Sequence, residues 1–143
     1  MEVEGYSFED DLYYEKNHFW GKVDDEDNVI VGATDFFQKL AGDIVFIELP
    51  MAGTKVEQGK PFSSLESGKW VGKVYAPVSG EVVEVNEELE DEPELINESP
   101  YDEGWIVKIK PDNLAEDLEN LMQAGPDFEQ FIKDEAKKHA KEE

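Results

Sequence analysis

Short apolar runs separated by turn residues occupy much of the first two thirds of the chain and predict β-strands. An aromatic-rich run covers residues 17–23, a β-branched run covers 29–33, and a third apolar run covers 43–49. Closely spaced glycines and prolines between residues 53 and 80 separate further short apolar runs. Short strands at such spacing are typical of an all-β sandwich or barrel.

Helical signals are confined to one internal segment and to the C-terminal end. Thr34 and Asp35 are suited to cap a short helix over residues 36–40, which stops at Gly42. Residues 106–110 alternate apolar residues with lysine and predict a half-exposed strand. Apolar residues then recur at helical spacing and predict two helices packed on the sheet. Their members are Leu114, Leu118, Leu121 and Met122, followed by Phe128, Phe131 and Ile132.

We expect one folded domain with a looser segment at each end. The acidic residues 1–13 are predicted to form a loosely held lead-in. Residues 14–136 form the domain, including its C-terminal helices, and residues 137–143 form a frayed, charged tail. A chain of 143 residues has enough length for one modest core.

Charge and composition exclude several classes of function. Acidic residues number 36 against 13 basic ones, so the net charge is −23. This charge disfavours binding to nucleic acid and to membrane surfaces. It also disfavours self-association, so we expect a monomer. The acids are spread along the whole chain, which favours a salt-adapted surface over a field that steers partners. The chain has no cysteine, which excludes disulfides and thiolate chemistry, and we expect a cytoplasmic address.

The most specific chemical feature is a lysine at a predicted turn. Residues 59–70 approach this turn and end in Glu66-Ser67-Gly68-Lys69-Trp70, and residues 71–82 leave it. An exposed lysine is by itself weak evidence, because most are simply solvated. The whole run, however, resembles the lipoyl-bearing hairpin of the glycine cleavage system H protein family, in which a lysine after Glu-Ser-x is lipoylated.

The resemblance extends over residues 14–131, including the stretches 32–50, 76–86, 94–101 and 104–111. It implies the barrel-sandwich hybrid fold of lipoyl and biotinyl carriers, with a short internal helix and C-terminal helices. It also implies a non-catalytic carrier with lipoic acid in amide linkage to Lys69, attached by a lipoate ligase or lipoyltransferase. Glu66, Ser67, Gly68 and Trp70 would then shape the turn or be recognised by the loading enzyme, and Gly68 and Gly72 would permit unusual backbone angles.

Two positions depart from the family pattern. Phe19 stands in place of the glutamate of a His-Glu-Trp motif, and Lys73 stands where an acid commonly lies four residues past the lipoyl lysine. With Asn17, these residues are the candidates for a cargo pocket. A lysine would repel an aminomethyl ammonium. The turn is also similar to H-like lipoate-binding proteins of sulfur oxidisers, and we therefore expect sulfur-containing intermediates and a heterodisulfide-reductase-like partner complex.

The alternative cargo is the aminomethyl group of the glycine cleavage system, with glycine decarboxylase, aminomethyltransferase and dihydrolipoamide dehydrogenase as partners. Phe19 and Trp70 would alternatively pack together and stiffen the hairpin, with no effect on cargo. A biotin carrier is disfavoured, since biotin acceptors normally place methionines beside the lysine. A binding module with an unmodified lysine is a further alternative.

No catalytic residue and no metal site is expected. His18 and His139 are the chain's two histidines, and we expect a structural role for the first and a place in the tail for the second. The acidic runs 24–27 and 87–92 lack the ligand spacing and turn glycine of an EF-hand.

Overall fold

The computed structural model describes residues 1–140, with Ala140 described by its backbone alone. Short strands make up most of the regular structure, and one long helix closes the described chain. The strands are β1 Glu2–Val3, β2 Tyr6–Ser7, β3 Tyr13–Glu15, β4 Phe19–Val23, β5 Val29–Ala33, β6 Ile44–Ile47, β7 Lys55–Val56, β8 Pro61–Ser67, β9 Val71–Tyr75, β10 Gly80–Val85, β11 Val107–Pro111 and β12 Met122–Gln123. The helices are α1 Asp35–Ala41, α2 Glu88–Asp91, α3 Leu95–Glu98, α4 Leu114–Glu119 and α5 Pro126–Ala140.

Two antiparallel sheets share one core. The larger sheet has the strand order β12-β3-β4-β5-β11-β10-β7, and the smaller has the order β6-β8-β9. Val31 and Ile109 from the larger sheet and Ile44, Leu65 and Val74 from the smaller one belong to the same cluster of buried side chains. Burial of these side chains is the main stabilising contribution. The predicted all-β class with a short internal helix is confirmed.

The internal helix has the ends that its sequence predicts. Thr34 is the N-cap, and its Oγ1 accepts a hydrogen bond from the backbone N of Phe37 at 3.1 Å. Gly42 is the C-cap, with φ +82° and ψ −166°. A side chain is strained in that conformation, so the glycine is needed here.

A second core contradicts the prediction of a loosely held N-terminal segment. β1 and β2 form a hairpin, and Val3, Phe8 and Leu12 are buried against Trp20 and Phe128 of the domain. Three apolar side chains among many acids therefore attach this segment firmly, which the acidic composition obscured. The division into residues 1–13, 14–136 and 137–143 stays a prediction.

The C-terminal end differs from its prediction in two ways. Met122, which was assigned to the first helix, lies in strand β12 and pairs with Tyr14. Helix α5 continues through residues 137–140 of the predicted frayed tail, and residues 141–143 of that tail lie outside the described residues. Lys137 and Lys138 in its last turn complement the helix dipole, which stabilises this extension.

The helical turns α2 and α3 were not predicted. They bury Leu89, Leu95 and Ile96 against the main core, although their sequence is short and acidic. None of the helices within residues 1–140 is both long and apolar enough to cross a membrane.

Candidate functional site

Lys69 lies at the tip of a hairpin formed by β8 and β9. The backbone N of Ser67 donates a hydrogen bond to the carbonyl oxygen of Trp70 at 2.8 Å and closes a four-residue turn. Gly68 and Lys69 are the central residues of this turn, and the backbone N of Lys69 donates to Ser67 Oγ at 3.3 Å. The side chains of Lys69, at the centre of the turn, and of Trp70, at its end, are both exposed, so the lysine is accessible from solvent.

The two glycines beside this turn do not have the backbone role expected of them. Neither Gly68 nor Gly72 has a positive φ. A methyl group on Gly72 would lie 1.8 Å from an atom of the Trp70 ring, whereas one on Gly68 would meet no atom within 4 Å. Gly72 therefore makes room for the indole, which lies across the strand, and Gly68 is not required by packing.

The Lys69 side chain extends towards the C-terminal end of α1. A methyl group on Gly42 would lie 3.1 Å from Lys69 Cε. Asn97 fixes the backbone that follows this glycine, because its Nδ2 donates to the Gly42 carbonyl at 2.8 Å and its Oδ1 accepts from the Ile44 N at 2.9 Å. The first part of the lysine side chain thus passes over a rigid, side-chain-free surface.

A cavity of about 540 Å³ opens beside the hairpin tip. Asn17, Lys73 and Trp70 line it together with Lys69, so the structure brings these four predicted site residues together. Four of the chain's 13 basic residues lie in the lining, namely Lys16, Lys69, Lys73 and Lys138. None of the ion pairs within residues 1–140 involves them. The lining contains one carboxylate, Glu135.

The remaining predicted residues lie outside this lining. Phe19 is fully buried, and its ring centroid is 4.8 Å from that of Phe37. The Trp70 ring contacts the same Phe37 at 5.6 Å, so Phe37 links the two aromatic residues that were suggested to pack on each other. Glu66 is exposed, and Ser67 is buried at the end of β8.

A buried carboxylate positions Asn17 at the cavity. Glu15 accepts hydrogen bonds from the backbone N and from Nδ2 of Asn17, each at 2.6 Å. Burial raises the pKa of Glu15 above its usual value, and the two hydrogen bonds from Asn17 act in the opposite direction. These contacts fix the loop between β3 and β4 that forms one side of the cavity.

The cavity wall includes a cluster that sequence reasoning missed. His18, Glu135 and His139 each offer one ligand atom, and these atoms all lie within 4.8 Å of one another. His18 Nε2 is 2.8 Å from Glu135 Oε1, and desolvation by burial lowers the pKa of His18 although Glu135 acts to raise it. The i,i+4 spacing of Glu135 and His139 was a visible signal, but their proximity to His18, 117 residues before Glu135, was not.

Comparisons with known proteins identify one family. The family model described as Glycine cleavage H-protein matches residues 12–135. A protein of Thermococcus gammatolerans named probable glycine cleavage system H protein is 54% identical over 124 residues, which are 87% of this chain and 92% of that protein. The glycine cleavage system H protein of Bacillus licheniformis is 48% identical over 125 residues, covering 87% and 96% of the two chains.

A solved structure gives the same result for the fold. The crystal structure of a glycine cleavage system H protein from Mycobacterium marinum superposes with a TM-score of 0.70 at 34% identity. The match covers 73% of this chain and 87% of the other. It confirms the predicted barrel-sandwich fold of a lipoyl carrier.

Proposed function

The chain belongs to the glycine cleavage H-protein family, and on this premise we propose that it carries an aminomethyl group on a lipoyl arm attached to Lys69. Members of the family are non-catalytic and hold lipoate covalently on a lysine. The reactive chemistry therefore belongs to the cofactor and to the partner enzymes. The protein itself contributes the attachment point, its rigidity and its surroundings.

The observation that carries the assignment of Lys69 is its place at the hairpin tip. The turn is closed by the hydrogen bond from Ser67 N to Trp70 O, and the lysine is exposed at its centre. An arm with a fixed base and a free end raises the effective concentration of its cargo at each partner's site. The sequence Glu66-Ser67 before this turn supports the same lysine.

The charge around the cavity bears on the choice of cargo. Acylation converts the Lys69 ammonium into a neutral amide, which leaves three exposed lysines and Glu135 in the lining. Exposed charges are screened by water and salt, so these lysines oppose an ammonium cargo only weakly. The half-buried Glu135 carboxylate favours it. Lys73 is therefore compatible with an aminomethyl cargo, although the sequence suggested that it was not.

The family comparisons favour the aminomethyl cargo of glycine cleavage over sulfur transfer. The relatives described above are named for glycine cleavage, and the expectation of a heterodisulfide-reductase-like complex has no support from them. We propose glycine decarboxylase, aminomethyltransferase and dihydrolipoamide dehydrogenase as partners, with a lipoate ligase or lipoyltransferase as the loading enzyme. Glu66, Gly68 and Trp70 are proposed as part of the surface that the loading enzyme recognises.

The decisive experiment is the exchange of labelled bicarbonate into glycine by glycine decarboxylase, with this protein as the lipoyl substrate. Protein lipoylated in vitro should support exchange, and unmodified protein should not. Lys69→Arg should remain folded and inactive, since arginine keeps the charge but is not lipoylated. Lys73→Arg is the matched control and should be lipoylated and active. Lipoylated protein that supports no exchange with decarboxylases competent on other H proteins would refute the proposed cargo.

A further inference from the structure

We propose that His18, Glu135 and His139 form a binding site for a transition-metal dication of the Zn²⁺ type in the cavity wall. Their ligand atoms lie within 4.8 Å of one another, and His18 Nε2 and Glu135 Oε1 are already 2.8 Å apart. Ligands at about 2.0–2.1 Å from a tetrahedral zinc ion are roughly 3.3 Å apart. Small side-chain rotations therefore suffice to convert the cluster into a coordination shell. Metal binding does not require lipoylation, but it would use the same Glu135 carboxylate that favours the proposed ammonium cargo.

Local structure directs all three side chains to one point. Glu135 and His139 are four residues apart on α5, so they project from the same face of the helix. His18 has a φ of +77°, which is unusual for a residue other than glycine, and its ring packs against Phe36 and Phe131 with centroids 4.6 and 5.7 Å away. A strained backbone that directs a buried imidazole at a carboxylate is a feature that clusters at functional sites.

The donor set selects the class of metal. Two imidazoles and one carboxylate suit Zn²⁺, Co²⁺, Ni²⁺ or Cu²⁺, whereas Mg²⁺ and Ca²⁺ require mostly oxygen ligands. Three protein ligands leave a fourth position for water or an exogenous ligand, as in open zinc sites. All three residues belong to the cavity lining, so that position is accessible from the cavity.

Some of the charged residues around the cluster oppose a bound cation, and others attract it. Lys16 and Lys138 line the same cavity and oppose a bound cation, but both are exposed and screened. The Glu135 carboxylate is half-buried, so its attraction for the ion is screened less. The net charge of −23 adds a long-range attraction for any dication, which also makes weak, non-specific binding a necessary control.

The test is titration of the tag-free, full-length protein with Co²⁺ in a large excess of Mg²⁺, which saturates the exposed carboxylates. We expect one equivalent of Co²⁺ to produce the visible d–d bands of a four-coordinate site, and one equivalent of Zn²⁺ to abolish them. His139→Gln and Glu135→Gln should each weaken Co²⁺ binding by more than about a hundredfold. Loss of a residue that only orients a metal ligand typically costs about tenfold to a hundredfold in metal affinity. Glu129→Gln removes a half-exposed carboxylate of α5 that pairs with Lys133 at 3.4 Å and lies outside the cavity lining, so it is the matched control and should bind normally.

Two outcomes would overturn the proposal. One is Co²⁺ binding without four-coordinate bands, and the other is equal affinity in Glu135→Gln and Glu129→Gln. Either result would leave the His18–Glu135 hydrogen bond as a link that merely attaches α5 to the loop before β4. His139 is half-exposed whereas His18 is buried, and circular dichroism of each variant verifies that its fold is intact.

Discussion

Replacing Gly42 with alanine tests whether the surface under Lys69 must lack a side chain. Gly42 has φ +82° and ψ −166°, a conformation that costs a residue with a side chain about 1–3 kcal/mol. The added methyl would also lie 3.1 Å from Lys69 Cε, which is a tight contact that the flexible lysine can relieve by moving. The stability cost therefore comes from the backbone, and the effect on lysine placement comes from the methyl.

The backbone has little freedom to reduce this cost. Asn97 hydrogen-bonds to the Gly42 carbonyl and to the Ile44 N, and the Gly42 N donates to the Gln38 carbonyl at 3.0 Å. Relaxation of the glycine would break at least one of these hydrogen bonds, each worth about 1 kcal/mol. We therefore expect a loss of about 2–3 kcal/mol in the free energy of unfolding, or a fall of roughly 4–12 °C in the melting temperature.

Urea denaturation followed by tryptophan fluorescence measures this loss, and the initial rate of enzymatic lipoylation measures access to Lys69. Gly68→Ala is the matched control for the stability measurement alone, since Gly68 has no positive φ and a methyl there meets no atom within 4 Å. It should change stability by less than about 0.5 kcal/mol. If Gly42→Ala were as stable as Gly68→Ala, the account of this helix end would be refuted.

Two further predictions concern stability. Thr34→Ala should lower the free energy of unfolding by about 1 kcal/mol, because the Phe37 N loses its capping acceptor at a buried helix start. Thr34→Ser should retain most of the wild-type stability, and chemical denaturation distinguishes the two variants. Burial raises the pKa of Glu15, so its contribution to stability is complete below its unfolded pKa and is lost as pH rises through the folded value. The stability of wild type relative to Glu15→Gln should therefore fall as pH rises above the unfolded pKa of about 4.3 towards the raised folded pKa, and a constant difference in paired urea titrations would contradict the assignment.

Much of the fold was predictable because its signals are local. Thr34 and Gly42 bound α1, which extends one residue beyond the predicted range 36–40 at each end, and the alternation in residues 106–110 predicts a strand that the structure confirms as β11. The position of Lys69 in a tight turn was predicted from the turn signals around it, although neither Gly68 nor Gly72 has a positive φ. These features depend on neighbours in the chain, so the sequence contains the information needed to find them.

The errors arise where distant residues decide the structure. Val3, Phe8 and Leu12 are buried in one cluster with Phe128 and Ile132 of α5, which are distant from them in the chain. Met122 pairs as a strand because Tyr14 offers it an edge, which overrides its helical spacing.

The candidate site residues show the same contrast between local signals and contacts of distant residues. Lys69, Trp70 and Lys73 are close in the chain and were found together, whereas His18 and Glu135 were not linked. Phe19 was assigned to the pocket by its place in a motif, but its side chain lies on the face of β4 that packs into the core. A motif position therefore indicates which strand approaches the cavity and not which side of that strand faces it.

The central claim is that Lys69 carries the lipoyl arm, and mass spectrometry of the protein purified from its native host tests it most directly. The account predicts a mass gain of one lipoyl group on the intact chain, located at Lys69 by peptide mapping and absent from Lys73. An unmodified Lys69, in cells whose other lipoyl proteins are fully loaded, would contradict it.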